Sequence, residues 1–351
     1  MQKNRACLGK PDAGPRVTEG MNGQQALRGV LALALTAAVA ACSGGPERTS
    51  EAGAVTPAPA ASPSPSAMRP EPVEHTVIPV GHAPHRVTAA AGAVWVAGGT
   101  GSVHRVTPGA GTSRLVRDTG ARLTEVTSAA GRVFAGDNHG SRLLVLDAGT
   151  GQQLRAMRTP GPVRGVLAGL GEVWVTAGSA VVRVDPKTLR VDSITEVGGE
   201  PAQLALAGRS VIVSNRTLGT LVQLDDLGRL RGTADVDGPT IGLVVTSARI
   251  FAARSDRPGM AVLSRERFAH VGDVDLPGVS YGAAVVGDEV WLTLVDQDAL
   301  VRLSESGATL GLVQVGRQPL GIAAAAGSVW VANEAEGSLW RLPVGTPTVG
   351  T

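Results

Sequence analysis

Histidine, cysteine, serine and the carboxylates are the side chains through which this chain could do chemistry, and their spacing decides which chemistry. The six histidines stand at positions 75, 82, 85, 104, 139 and 270. No two are spaced so that local geometry alone brings both imidazoles onto one metal ion, and they read as solvated loop residues. The two cysteines, Cys7 and Cys42, are too few for a disulfide framework or a cysteine-based metal site. Gly278-Val279-Ser280-Tyr281-Gly282 fits the G-x-S-x-G pattern of a nucleophile elbow. That motif needs a strand turning sharply into a helix, whereas here the pattern joins two strands, so Ser280 is expected in a glycine-flanked turn. These readings assign no catalytic residue, no metal and no cofactor.

Cys42 carries chemistry of another kind. Residues 30–41, VLALALTAAVAA, form an apolar run of 12, too short for a membrane span and suited to a signal-peptide core. Arg28 precedes the run, and Val39-Ala40-Ala41-Cys42 closes it. The arrangement resembles a bacterial lipobox, in which the cysteine sulfur is lipidated after the signal is cleaved. Residues 1–41 are therefore expected to be a signal peptide, with Met21 the better start because MNGQQALRGV gives a short basic head. Residues 42–73 then comprise the lipidated Cys42 and a Pro-, Ala- and Ser-rich tether without apolar periodicity. A flexible chain of this length spans roughly 30 Å and a polyproline-like one several times more. Either holds a domain clear of a bilayer, so the expected location is the cell membrane, facing outward.

The elements that would position any functional group come from a repeat. The triplet Val94-Trp95-Val96 recurs with central residues at 95, 134, 174, 212, 251, 291 and 330. The separations are 39, 40, 38, 39, 40 and 39 residues. Each unit holds a small-residue run such as PLGIAAAAG, the triplet, an alternating run such as SRLLVLD, and a looser run ending in Gly. Period-two alternation with turn residues at each junction makes these strands. Gly at 47 of 351 residues, near twice the usual ~7%, supplies the turns. Four strands in about 40 residues, repeated, is a β-propeller blade. The chain is thus read as an all-β, seven-bladed propeller over 74–345, with 346–351 as a tail. The seventh unit lacks a fourth strand, and VIPVGHAPHRV (77–87) matches LVQVGRQPLGI (312–322) in layout. Strand 74–81 is therefore expected to complete the last blade and close the ring, leaving no unpaired strand there.

The pattern Gly-x-Val-Trp-Val-Ala-Asn, clearest at Trp330-Val331-Ala332-Asn333, resembles the YVTN-repeat family of seven-bladed propellers, and more distantly the virginiamycin B lyases. The first resemblance implies fold. The second would imply lyase chemistry through Glu and His near the channel and a divalent cation. In lyases the repeats carry Trp-Phe-Thr-Glu, whereas no copy here places Glu directly after the triplet strand, and Glu334 comes one residue later.

In a propeller, the loops between the second and third strands and those entering the inner strands surround the channel mouth. On that face Arg is concentrated in blades one to five and acid in blades six and seven. A polarised rim suits a charged ligand or a protein loop. Arg86, Arg164, Arg254, Asp296 and Glu334 are the expected ligand-binding residues. A net charge of +2 and 3% aromatic content give no reason to expect nucleic acid. The reading is a membrane-tethered, non-catalytic propeller binding a protein or small molecule. The alternative is a propeller enzyme of the lyase or lactonase type, using a divalent metal at the channel mouth.

Overall fold

The computed structural model describes residues 68–344. The signal peptide, Met21, Cys42, the tether up to residue 67 and the tail 346–351 lie outside the described residues. Within them, 28 strands form seven four-stranded antiparallel sheets and no helix. The inner strands are Pro84–Ala90, Leu123–Ala129, Val163–Gly169, Pro201–Ala207, Thr240–Val245, Ser280–Val286 and Pro319–Ala325. Each packs beside the next, and the last packs beside the first, so the ring is closed.

The closure follows the sequence expectation. Thr76–Pro79 pairs with Ser338–Pro343, placing Thr76 opposite Arg341 and Ile78 opposite Leu339, and Ile78 is buried. Packing nevertheless begins at Met68 rather than at Glu74. The Glu71 N–H donates to the Leu312 carbonyl at 3.0 Å, and Gln314 N–H donates to the Glu71 carbonyl at 2.8 Å. Met68 and Val73 rest on the cores flanking blade six. His75 stacks on Trp340 with ring centroids 3.8 Å apart. Residues 68–75, placed mostly in the tether by their composition, thus form a strap over the outer edge of the sixth blade.

The repeated triplet is explained by burial. Trp95, Phe134, Trp174, Ile212, Phe251 and Trp330 are fully buried. The indole N–H of Trp95, Trp174 and Trp330 donates to the carbonyl five residues earlier, at Ala90, Gly169 and Ala325. Each buried ring therefore keeps its one polar group satisfied. Trp291 differs: it is only half-buried, because its N–H turns to the Glu289 carboxylate at 2.8 Å and Arg302 lies over its ring.

In several blades the last two residues of the tetrapeptide bond to backbone at the end of the second strand. The Asn215 side-chain oxygen accepts N–H bonds from Thr217 and Leu218, and Asp137 accepts from His139 and Gly140. Such Asx contacts cap the turn leading to the third strand. One position earlier, the buried Thr176 and Thr293 hydroxyls donate to Ala202 and Leu320 carbonyls of the following blade. Those carbonyls belong to β-bulges, because all seven inner strands shift register within their first residues. A bulge re-aims the side chains beside it, and here it aims them into the channel.

Candidate functional site

The bulges set up one ring of equivalent positions around the channel: Arg86, Glu125, Gly165, Gln203, Gly242, Gly282 and Gly321. Four are glycine for a steric reason. A Cβ on Gly165 would lie 2.1 Å from the Ala202 carbonyl oxygen, on Gly282 2.2 Å from that of Leu320, and on Gly321 2.5 Å from that of His85. Blades one, two and four instead admit Arg86, Glu125 and Gln203, and these three bond together. Arg86 Nε donates to Glu125 Oε1 at 3.2 Å, and Gln203 Nε2 donates to the same oxygen at 2.9 Å. Gln203 reaches Glu125 across blade three, where Gly165 leaves the path clear.

A second crossing runs over blade seven, past Gly321. The Tyr281 hydroxyl lies 3.4 Å from His85 Nε2, and Arg86 stands over the Tyr281 ring at 5.2 Å. His85 Nδ1 is 3.0 Å from the Thr124 carbonyl, so Nδ1 carries the proton and Nε2 accepts from tyrosine. Burial, and then the adjacent charge of Arg86, push the His85 imidazole down to about 3, which keeps it neutral at physiological pH. Burial also raises Glu125, against the pull of Arg86, and raises the Tyr281 phenol. One Arg86 amino group, Nη2, is buried without any hydrogen-bond partner.

Of these side chains Glu125, Gln203 and Tyr281 border a cavity of about 80 Å³, lined further by Thr124, Asn138, Arg164, Arg216, Ala202 and Ile241. A separate, wider basin of about 740 Å³ is lined by Arg122, Asp137, His139, Arg142 and Glu334 among others. There Asp137 pairs with Arg142 at 2.8 Å. Burial would raise the Asp137 carboxyl, but bonds from Gly140, Arg142 and His139 outweigh it and hold the group below the usual range.

The residues singled out from sequence divide accordingly. Arg86 sits in the channel wall, and Arg164 lines the small cavity while its Nη2 binds Glu200 at 3.1 Å. Glu334 belongs to the wider basin. Arg254 does not face the channel. It is 3% exposed and donates to Asp273 on the outer strand of its own blade at 2.9 Å, because the end of the second strand turns its side chain away from the centre. Asp296 serves the backbone by accepting the Val279 N–H at 2.8 Å, which caps the loop into blade six. Ser280 is 1% exposed with its hydroxyl unbonded, and it is the first residue of the inner strand Ser280–Val286 rather than part of a turn. Among the described residues no three His, Cys, Asp or Glu side chains converge on one point where a metal ion could sit.

Sequence reasoning placed His85, Gln203, Tyr281 and Arg216 on the mouth face without selecting them as binding residues, and did not name Glu125. A usable signal existed: aligned on the repeat, Arg86, Glu125 and Gln203 occupy the slot that is glycine in the other four blades.

Compared with known protein families and with curated proteins, the sequence matches none. Solved structures do resemble it. A streptogramin B lyase matches with a TM-score of 0.67 at 15% identity, over 77% of this chain and 98% of the lyase. A catalytically inactive virginiamycin B lyase from Staphylococcus aureus, with quinupristin, gives 0.66 at 14%, over 77% and 99%. BamB from Moraxella catarrhalis gives 0.56 at 12%, over 73% and 84%. The likeness is one of fold.

Proposed function

We propose that this chain is a lipid-anchored propeller outside the cytoplasmic membrane that binds a ligand or partner at its channel mouth without turning it over. The observation carrying the reading is the wall of blades one to four. Where the repeat calls for glycine, three polar side chains are present, and they bond to one another across a blade. Buried polar groups are costly unless paired, so side chains that the architecture does not need are retained for what they contact. Their arrangement suits binding better than catalysis. The imidazole is held neutral and bonded on both nitrogens, and the carboxylate is tied to an arginine and an amide. The anchor is supported by the apolar run ending at Cys42, since acyl chains on that residue would suffice for stable attachment.

A tagged full-length chain recovered from membranes tests both halves. Cys42→Ser should release the protein from the membrane fraction or leave it unprocessed. Arg86→Gln with Arg164→Gln should lose the co-purifying partner or ligand while the protein stays folded. Undiminished capture by that double variant would show that the channel face is not the binding face.

A further inference from the structure

The small cavity behind the mouth has a defined chemistry. Two guanidinium groups, Arg164 and Arg216, and one carboxylate, Glu125, border it. Arg164 also holds Glu200 at 3.1 Å and Glu125 holds Arg86 at 3.2 Å, each leaving part of its charged group toward the cavity. Arg216 is exposed, and its side chain makes no ion pair or hydrogen bond among the described residues. Both bonds that Glu125 receives fall on Oε1, which leaves its second oxygen open to an occupant. The remaining wall is mixed: Ala202 and Ile241 are apolar, and Thr124, Asn138, Gln203 and Tyr281 are polar.

Charge selects what can enter. A simple carboxylate would satisfy the arginines but would meet the free oxygen of Glu125 with like charge. A simple amine would satisfy Glu125 but would meet two guanidiniums. An occupant bearing a carboxylate and an ammonium on one carbon offers a partner to all three groups. Size narrows the choice. At about 30 Å³ per water in the liquid, about 80 Å³ is the space of roughly three waters, which suits only a very small molecule. Alanine and glycine are of that size, and the apolar part of the wall can receive a methyl group.

From this we infer that the channel cavity is a binding site for a small α-amino acid, its carboxylate held by Arg164 and Arg216 and its ammonium by Glu125. The inference rests on the reading that the channel face is the binding face, and it specifies the ligand class. Paired recognition of both charges gives selectivity through the groups left unpaired by the wrong ligand.

The test is isothermal titration of the full-length chain in detergent with alanine, acetate and ethylamine. Alanine should bind, and each single-charge probe should bind at least tenfold more weakly. Glu125→Gln should weaken alanine at least tenfold and abolish its advantage over acetate. Arg216→Ala should weaken alanine and acetate together, and its exposed position keeps that variant informative should Glu125→Gln fail to fold. Arg117→Ala, on an outer strand, should change nothing. Acetate binding as tightly as alanine would remove the ammonium subsite and overturn the inference. So would the absence of binding by all three probes. If that absence is accompanied by loss of the co-purifying partner in the Arg86→Gln, Arg164→Gln variant, the ligand class is wrong and the binding face is right.

Discussion

Blades one to four and blades five to seven are built on the same repeat, yet they present different walls to the channel. On the first side the ring level at the bulge carries Arg86, Glu125 and Gln203, with Arg164 one residue before Gly165. On the second it carries Gly242, Gly282 and Gly321. The glycines are explained by the close approach of the next blade, whose backbone leaves no space for a Cβ at Gly282 or Gly321. The polar residues have no such explanation, since the same architecture closes without them elsewhere in the ring. What differs between copies of a repeat, at a position the repeat otherwise holds constant, marks where the molecule does more than fold.

The comparison breaks first if the two sides differ in packing as well as in their walls. Trp174 in blade three and Trp330 in blade seven are both fully buried. Trp→Ala at either should cost about 3–5 kcal/mol, as truncation of other buried aromatics does, with the two values within about 1 kcal/mol of each other. Trp291→Ala should cost less, because that ring is already half in solvent. Denaturant unfolding measures all three. A large difference between Trp174→Ala and Trp330→Ala would mean that the asymmetry belongs to the whole blade.

The fold was legible in the sequence because it is written seven times. Period-two strands, a large residue every 39 or so positions and an incomplete last unit together specify blade number and ring closure. The strap at 68–75 was not legible. Its residues have the composition of the tether, and what orders them is backbone pairing of Glu71 with Leu312 and Gln314, which leaves no mark in residue type. The site was legible only in part. Arg86, Arg164 and Glu334, chosen from loop position and charge, do lie in the channel wall or line the candidate cavities. The same rule selected Arg254 and Asp296, because loop position does not say whether a side chain turns inward or serves a neighbouring strand. Gln203 stands at the mouth but carries no charge, and charge decided the choice. Glu125 lies two residues beyond Leu123, further into its strand than Arg122-Leu123, the mouth position of its blade.

A smaller effect sharpens the comparison through the crossing over blade seven. His85 faces Arg86, Arg122, Tyr281 and the Thr124 carbonyl, with Glu125 beyond Arg86. Its pKa falls from 6.5 unfolded to about 3 folded. The native state therefore binds fewer protons, and stability present above pH 6.5 is lost as the pH falls toward 3. At about 1.4 kcal/mol per unit, His85 should withdraw on the order of 3 kcal/mol between pH 6.5 and 4. Glu125 acts in the opposite sense, its raised pKa favouring the native state as pH falls. Comparing wild type with His85→Asn isolates the imidazole: the variant should show the shallower loss of stability on acidification. Equal slopes would mean that the imidazole protonates in the folded channel, and the bond from Tyr281 could not then be the one described.

The smallest effect concerns the ring position itself. Gly282→Ala places a methyl group 2.2 Å from a backbone oxygen, so neighbouring strands must move apart, at about 1–3 kcal/mol. Gln203→Gly restores the residue that the repeat prefers and removes one hydrogen bond to a buried carboxylate, a change of about 1 kcal/mol. In a domain of this size that is a melting shift of only a few degrees. The ligand readout should rank them the other way. Gln203→Gly frees Glu125 Oε1 and alters the cavity floor, and should change binding of a channel ligand several-fold. Gly282→Ala, on the far side, should leave binding within about twofold once melting is accounted for. Should Gln203→Gly prove as damaging to stability as Gly282→Ala while leaving binding untouched, the polar wall would be a structural plug, and the contrast between the two sides would carry no functional meaning.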